Sequence, residues 1–143
     1  MDTETFAKLR DCIWLHEFSR QTGLDGKTIR QLLQIWPEPG KLRQAGSDNI
    51  ISALLGDIQW PAAGTGKKSQ LRAALSDRRW SLHSEELAAD AANLGVKAIF
   101  TGDADFPDRL KEIAGCPLVL YYRGHHYQKI LHQETKPQQQ AGY

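Results

Sequence analysis

The residues of this chain that could do chemistry are mostly lysines and arginines near glycines. Residues 64–69, GTGKKS, place two lysines after two glycines, which resembles the composition of phosphate-binding loops. Such a loop also needs glycine five residues before its Gly-Lys pair and Ser or Thr directly after the lysine. Here the first position is Pro61, and Lys67 is followed by Lys68. The stretch is therefore interpreted as a flexible basic linker rather than as a nucleotide site.

The densest basic segment of the chain overlaps the end of this linker. It consists of Lys67, Lys68, Arg72, Arg78 and Arg79, with Trp80 beside them. Cations next to an aromatic ring can follow a phosphate backbone and stack a base, so these residues are candidates for nucleic-acid contact. The alternative for Trp80 is a place in the protein core.

A further candidate is the glycine-containing segment 22–28, TGLDGKT, which is similar to the loop of a helix-hairpin-helix. Loops of that kind offer backbone N–H groups and a lysine, here Lys27, to DNA phosphates without reading sequence. The two glycines are three residues apart, whereas the hairpin usually spaces them by two. An ordinary turn between helices is the alternative.

The chain has no residue pattern typical of a metal site or a catalytic site. His125, His126 and His132, with Cys116, have spacings that fit no zinc template. His16-Glu17 lacks the second histidine of a zincin motif, since position 20 is Arg20. No set of nucleophile, base and orienting group is evident. The prediction is a non-enzymatic protein without cofactor or metal.

The elements that must position these residues are mainly helical. Apolar periodicity predicts three helices in the first part of the chain. The first runs over 3–19 and is capped by Thr3 or Thr5. The second runs over 26–35, is capped by Asp25 and is ended by Pro37 and Pro39, and the third runs from Ser47 to just before Gly56. Two more are predicted over 69–79 and 84–94, the latter capped by Ser84. The first three helices should form a compact bundle.

The pattern changes at residue 95. Two apolar runs, 96–101 and 118–122, are typical of buried strands, and a short helix between them carries Phe106, Leu110 and Ile113 on one face. Pro107 suits the first turn of that helix. The segment is predicted to be a strand–helix–strand unit with parallel strands, and Phe106 should pack with Leu110 and Ile113 against both strands.

This segment resembles the signature of the DprA/Smf family (DNA processing protein A). The matching positions are Asp103, Phe106, Pro107, Leu110, Ile113, Pro117, Leu120 and Gly124. The N-terminal part is similar in outline to the small helical domain of that family, which is of sterile-alpha-motif or helix-hairpin-helix type. The positions of that second, less specific similarity are Trp14, Leu15, Gly23, Ile29, Leu32 and Leu33.

The resemblance implies a role in protecting single-stranded DNA and handing it to a RecA-type recombinase during natural transformation. In the family, a Rossmann-like domain follows the position of Gly124 and carries most DNA, dimer and recombinase contacts. Here residues 125–143 follow, so none of those contact residues can be carried over. The sequence looks like the front of a DprA protein with a replaced or frameshifted tail. The alternative is a helical interaction or regulatory module without autonomous DNA binding.

Composition fits this interpretation without adding to it. The chain is 41% hydrophobic and 24% charged, which is typical of soluble globular proteins, and its net charge of +1 gives no global attraction to nucleic acid. Cys12 and Cys116 are predicted to be free thiols. With no apolar leader or membrane-length run, a cytoplasmic location is expected.

The predicted organisation is mostly helical α+β. It comprises a helical subdomain over 1–56, a linker over 57–68, helices plus the strand–helix–strand unit over 69–124, and a disordered tail over 125–143. Residues 119–122 form an apolar strand with an unpaired edge, so the chain is predicted either to self-associate through this edge or to leave the segment loosely ordered. A proline at Leu120 is expected to reduce self-association.

Overall fold

The computed structural model describes residues 2–60, 67–112 and 117–123. Their elements are α1 (Thr3–Thr22), α2 (Gly26–Ile35), α3 (Pro39–Ala45), α4 (Ser47–Leu55), α5 (Lys67–Ser76), α6 (Arg78–Asn93), β1 (Val96–Phe100), α7 (Asp108–Lys111) and β2 (Val119–Arg123). The predicted class, mostly helical α+β, is confirmed. No helix in these ranges combines the length and apolar character needed to cross a membrane.

Helix α1 lies at the centre of the fold. Four successive residues, Cys12 to Leu15, are buried, so the helix is covered on several sides rather than along one stripe. It packs against α6, β1, α3 and α5. Its N-cap is Asp2, whose carboxylate accepts the Thr5 N–H at 2.7 Å, and not Thr3 or Thr5 as the sequence predicted. An aspartate outside the helix is free to turn back to this N–H.

Helix α2 has the predicted bounds, because its flanking residues define both ends. Asp25 accepts the Thr28 N–H at 2.8 Å, and Pro37 follows Trp36. Helix α3 was not predicted; Pro39 occupies its first turn, where a missing N–H costs nothing. Gly40 lets α3 approach α1 closely, since a Cβ there would lie 2.6 Å from an Asp11 carboxylate oxygen.

The predicted boundary between the next two helices was wrong. Helix α5 ends at Ser76, and α6 begins at Arg78 with Asp77 as its N-cap, accepting the Arg79 N–H at 2.9 Å. Ser84 therefore caps nothing. It is buried inside α6, and its hydroxyl donates to the Ser81 carbonyl at 2.6 Å. A serine that satisfies its hydroxyl within its own helix does not end that helix.

The two strands are antiparallel, so the prediction of a parallel pair was wrong. Phe100 pairs with Val119 and Val96 with Arg123. The Thr101 N–H extends the ladder by donating to the Leu118 carbonyl at 2.8 Å. Antiparallel strands need no crossover helix that spans their length, and α7 has only four residues. The chain therefore re-enters the sheet beside the end of β1.

The core consists of three clusters. The largest joins the helices around Trp14, Phe18 and Trp80, the second packs α1 and α6 on Ala98 and Phe100, and the third lies on the other face of the sheet. In the third, Phe106 and Ile99 are buried, with Leu110, Leu120 and Tyr122 packed on them. The predicted packing of Phe106 with Leu110 against both strands is confirmed; Ile113 lies outside the described residues.

The predicted linker is only partly irregular. Ile58 and Trp60 pack partly on the main core, and their N–H groups donate to the Ala53 and Leu54 carbonyls. Lys67 and Lys68 already belong to α5. The division at residues 57–68 stays a prediction, and α1 contacts elements on both sides of it. The predicted disordered tail lies outside the described residues.

Candidate nucleic-acid interface

The cations of α5 lie on two sides of its buried face. Leu71 is buried, and the spacing of 3.6 residues per turn places Lys68 and Arg72 together on one flank of it. Lys67 lies on the other flank, on the side of Gln70, where both line the same cleft. The structure therefore does not bring the α5 cations together in a single basic face.

Two of the candidate arginines already have acidic neighbours. The Arg79 guanidinium donates to both oxygens of Asp77, at 3.1 and 2.9 Å, and this paired geometry raises the pKa of Arg79 and lowers that of Asp77. Arg72 lies 3.7 Å from the Asp48 carboxylate across the α4–α5 contact. Exposed pairs of this kind are weak, so a phosphate can compete for either arginine.

Trp80 is a core residue. Its side chain is buried, its ring centroid lies 5.9 Å from that of Trp14, and Trp14 stacks on Phe18 at 4.9 Å. The indole N–H donates to the Ala74 carbonyl at 2.8 Å, which ties α6 to the end of α5. Of the two roles considered for Trp80, the structure therefore shows packing and leaves no open ring face for a base.

Arg78 lines a separate cleft of about 280 Å³. Arg43 and the acidic Asp77 and Glu85 also line it, together with the edge of Trp80. Because cations and carboxylates are mixed here, the cleft has no consistently positive wall for a phosphate backbone.

The hairpin-like turn is closed by its own side chains. The Thr22 hydroxyl donates to the Phe18 carbonyl at 2.6 Å and accepts the Leu24 N–H at 3.3 Å. Hydrogen bonds from the hydroxyl and N–H of Thr28 lower the pKa of the Asp25 carboxyl, so it is ionised at neutral pH. This negative charge occupies the start of α2, where a phosphate would otherwise find N–H groups.

The turn nevertheless forms one side of a cleft of about 340 Å³ that sequence reasoning missed. Thr22, Asp25 and Thr28 line it from the turn, Lys67 and Gln70 line it from α5, and Trp60 closes it. Lys27 is exposed and directly precedes Thr28, which lines this cleft. The aromatic residue that lines a cleft with Lys67 is thus Trp60, which the sequence assigned to an exposed linker, and not Trp80.

The signature positions serve the fold of the small sheet. Asp103 accepts the Phe100 N–H at 2.9 Å and the Lys8 ammonium at 2.6 Å, so it ties the end of β1 both to the following turn and to α1. Pro107 immediately precedes α7. Of the remaining positions, Phe106, Leu110 and Leu120 pack together, Pro117 precedes β2, and Ile113 and Gly124 lie outside the described residues.

A larger cleft of about 450 Å³ lies between α1, α3 and the end of β1. Its inner charges are paired within the protein: Lys8 with Asp103, and Asp11 with Arg43 at 3.1 Å. Cys12 at its base is buried, and burial, with Asp103 nearby, raises the pKa of the thiol to about 12. The thiol is therefore protonated at neutral pH and is a poor nucleophile or metal ligand.

In the ranges that the structure describes, no three His, Cys, Asp or Glu side chains converge as a metal site would require. The predicted set of Cys116, His125, His126 and His132 lies outside those ranges. No protein-family model, curated protein or solved structure matches the chain at a significant level.

Proposed function

We propose that this chain is a non-enzymatic DNA-processing module of the DprA/Smf type that contacts single-stranded DNA. The observation that carries the proposal is the way the described signature residues act together. Asp103 closes the turn after β1, and Phe106 and Leu110 pack on Leu120 of β2. A signature whose members Phe106 and Leu120 pack together across thirteen intervening positions is more specific than a chance match along a single helix.

The finer architecture belongs to the same proposal. Helices α1 to α4 correspond to the small helical domain of sterile-alpha-motif or helix-hairpin-helix type, and the strand–helix–strand unit corresponds to the start of the Rossmann-like domain. The implied role is to protect incoming single strands and pass them to a RecA-type recombinase.

The contact with DNA is proposed at the cleft between the hairpin-like turn and α5. Trp60 offers a half-buried aromatic surface there, Lys67 lines the same cleft, and Lys27 lies beside it in sequence. Lys68 and Arg72 on the other flank of α5 would follow the strand onward, with Arg72 exchanging Asp48 for a phosphate. With a net charge of +1, binding should be weak and strongly salt-dependent.

The test is fluorescence anisotropy of a labelled oligothymidine strand over a series of salt concentrations. We expect affinity to fall as salt rises, with a logarithmic slope of about −0.7 per phosphate contact. Lys67→Ala with Lys68→Ala should weaken binding and reduce that slope, and Trp60→Ala should weaken binding with little change in slope. Lys41→Ala, an exposed lysine on α3, is the matched control. Absence of binding at low salt would contradict the proposal.

A second candidate is a helical interaction module that does not bind DNA by itself. The pairs Arg79–Asp77 and Arg72–Asp48 and the ionised Asp25 favour it, since each neutralises or opposes a basic group of the candidate interface. It predicts no anisotropy change at low salt, together with retention of a purified RecA-type recombinase by the immobilised chain. The anisotropy measurement separates the two candidates, because only the first predicts binding of the oligonucleotide at low salt.

A further inference from the structure

Strand β2 has one paired and one open edge. It pairs with β1 on one side, and within the described residues no third strand pairs on the other. Helix α1 packs against β1 on one face of the sheet, and His16 of α1 lies beside Tyr121 on that face. A row of unpaired backbone groups beside apolar side chains is a template for another strand.

The hydrogen bond after β1 determines which groups point outward. In an antiparallel ladder, every second pair of opposite residues exchanges two hydrogen bonds and forms a narrow pair. Because the Thr101 N–H donates to the Leu118 carbonyl, the narrow pairs here are 101 with 118, 99 with 120 and 97 with 122. Leu120 and Tyr122 therefore direct their N–H and C=O groups toward β1. Val119, Tyr121 and Arg123 direct theirs to the open edge.

This orientation corrects the expectation for a proline at Leu120. The Leu120 N–H points to Ile99, so removing it would break the pairing of β1 with β2 rather than the outer edge. The outer edge must be tested at an odd-numbered position of β2.

We propose that a second copy of this chain pairs with the open edge, antiparallel and centred on Tyr121. In this register, Tyr121 faces Tyr121 of the second copy, and Val119 faces Arg123 of the second copy on either side. All three outward residues then form narrow hydrogen-bonded pairs, and the result is a four-stranded antiparallel sheet. The inference goes beyond the proposed function and does not depend on DNA binding.

Two other registers are poorer for identifiable reasons. Centring on Leu120 places Arg123 opposite Pro117, which has no N–H to donate. Centring on Arg123 places two like charges directly opposite each other, which is destabilising. The register centred on Tyr121 avoids both, so the edge is complementary to itself and a second copy fits it.

The side chain of Tyr121 also suits a symmetric contact. It is 42% exposed and lies on the α1 face of the sheet, with its ring centroid 6.4 Å from that of His16. In the paired sheet the two Tyr121 rings become cross-strand neighbours, flanked by His16 of each copy. Aromatic cross-strand pairs stabilise antiparallel sheets.

The register predicts a charge-swap experiment at one position. Sedimentation velocity of the full chain should show a concentration-dependent dimer. Tyr121→Lys alone should weaken the dimer at least about tenfold, because two lysines would face each other, and Tyr121→Glu alone should do the same. An equimolar mixture of the two variants should restore the dimer, since each lysine would face a glutamate.

Two controls keep the outcome specific. Tyr121→Phe retains the ring and should dimerise like the unchanged chain, while Leu82→Lys places a charge on an exposed residue of α6 rather than on the sheet and should have no effect. Circular dichroism checks that each variant keeps its helices. A chain that stays monomeric at high concentration overturns the proposal. So does a mixture that fails to restore the dimer, which would mean that residue 121 does not face its counterpart in the second copy.

Discussion

The helical core around Phe18 and the sheet unit around Phe106 are stabilised in different ways. Phe18 belongs to a cluster of fourteen buried residues drawn from α1, α2, α3, α4, α5, α6 and the turn after α1. Among the described residues, Phe106 shares its cluster with one other buried residue, Ile99, and with three partly buried neighbours. The first region has many mutually supporting contacts, whereas the second depends on a few.

This difference suggests two levels of stability within one chain. Loss of a core residue among the helices should affect the whole fold, since α1 connects that cluster to the sheet. Loss of a contact in the sheet unit should open the two strands while the helices remain folded. Local opening of this kind is common where few buried contacts hold an element.

The largest expected effect is on the helical core. Phe18→Ala removes a fully buried ring that stacks on Trp14 and should lower the free energy of unfolding by about 3–5 kcal/mol. Urea titration followed by far-ultraviolet circular dichroism measures this change. Ile35→Ala, at a residue 39% exposed, is the control and should change stability by less than about 1 kcal/mol.

The comparison is tested most directly at the second region. Phe106→Ala should cost about 3 kcal/mol locally, because the ring is 2% exposed. Hydrogen exchange should show β1 and β2 amides losing protection while those of α2 keep theirs. Equal loss of protection in both regions would mean that the chain unfolds as one unit. A loss of stability below about 1 kcal/mol would contradict the packing of Phe106 against the two strands.

A smaller effect is expected at Asp103, which joins the two regions. Asp103→Ala leaves the Phe100 N–H without its acceptor and should cost about 1–3 kcal/mol. Asp103→Asn keeps an acceptor and removes only the attraction to Lys8, a partly exposed pair, so it should cost about 1 kcal/mol or less. Identical losses for the two variants in urea titration would show that the ion pair, and not the strand N–H, is the important contact.

The smallest effect concerns the helix start next to the candidate interface. Asp25→Ala should destabilise the helical region by about 1 kcal/mol at neutral pH. The pKa of Asp25 is lower in the folded chain than its ordinary value of 3.8, so its contribution is present above that value and is lost as pH falls through the folded pKa.

Urea titrations of the unchanged chain and of Asp25→Asn check the sign of this dependence. The amide caps the helix but does not titrate, so the stability advantage of the unchanged chain over the variant should shrink between about pH 6 and about pH 3. An advantage that grows on acidification would show that the carboxylate is not stabilised by Thr28.

Local sequence signals determined much of the helical region. Asp25 and Pro37 mark the ends of α2 because capping and the missing proline N–H act over one turn. Helix α3 was missed because it is short and begins at the second of two prolines, with only Pro39 and Leu42 buried. Ser84 was mistaken for a cap because the sequence did not show that the helix already begins at Arg78, with Asp77 as its N-cap. Ser84 therefore lies inside α6.

The remaining features depend on contacts between distant parts of the chain. The sequence located the cations, but the partners Asp48 and Asp77 and the approach of Trp60 to Lys67 follow from how the helices pack. Strand direction was missed for the same reason, since hydrophobic patterns in 96–101 and 118–122 are alike for parallel and antiparallel pairs. Whether Trp80 was buried could not follow from its neighbours in sequence alone.

The central place of α1 has a consequence for how the chain is made. Its packing partners α6 and β1 emerge from the ribosome roughly 55 to 80 residues after α1 itself, which corresponds to about 3–16 s of synthesis at ordinary rates. During that interval, side chains such as Leu9 and Ile13 have no permanent cover, since their cluster is completed by Ala88, Ala98 and Phe100. Helix α1 is thus made well before part of its cover, and the nascent chain should need chaperone protection there until β1 has been synthesised.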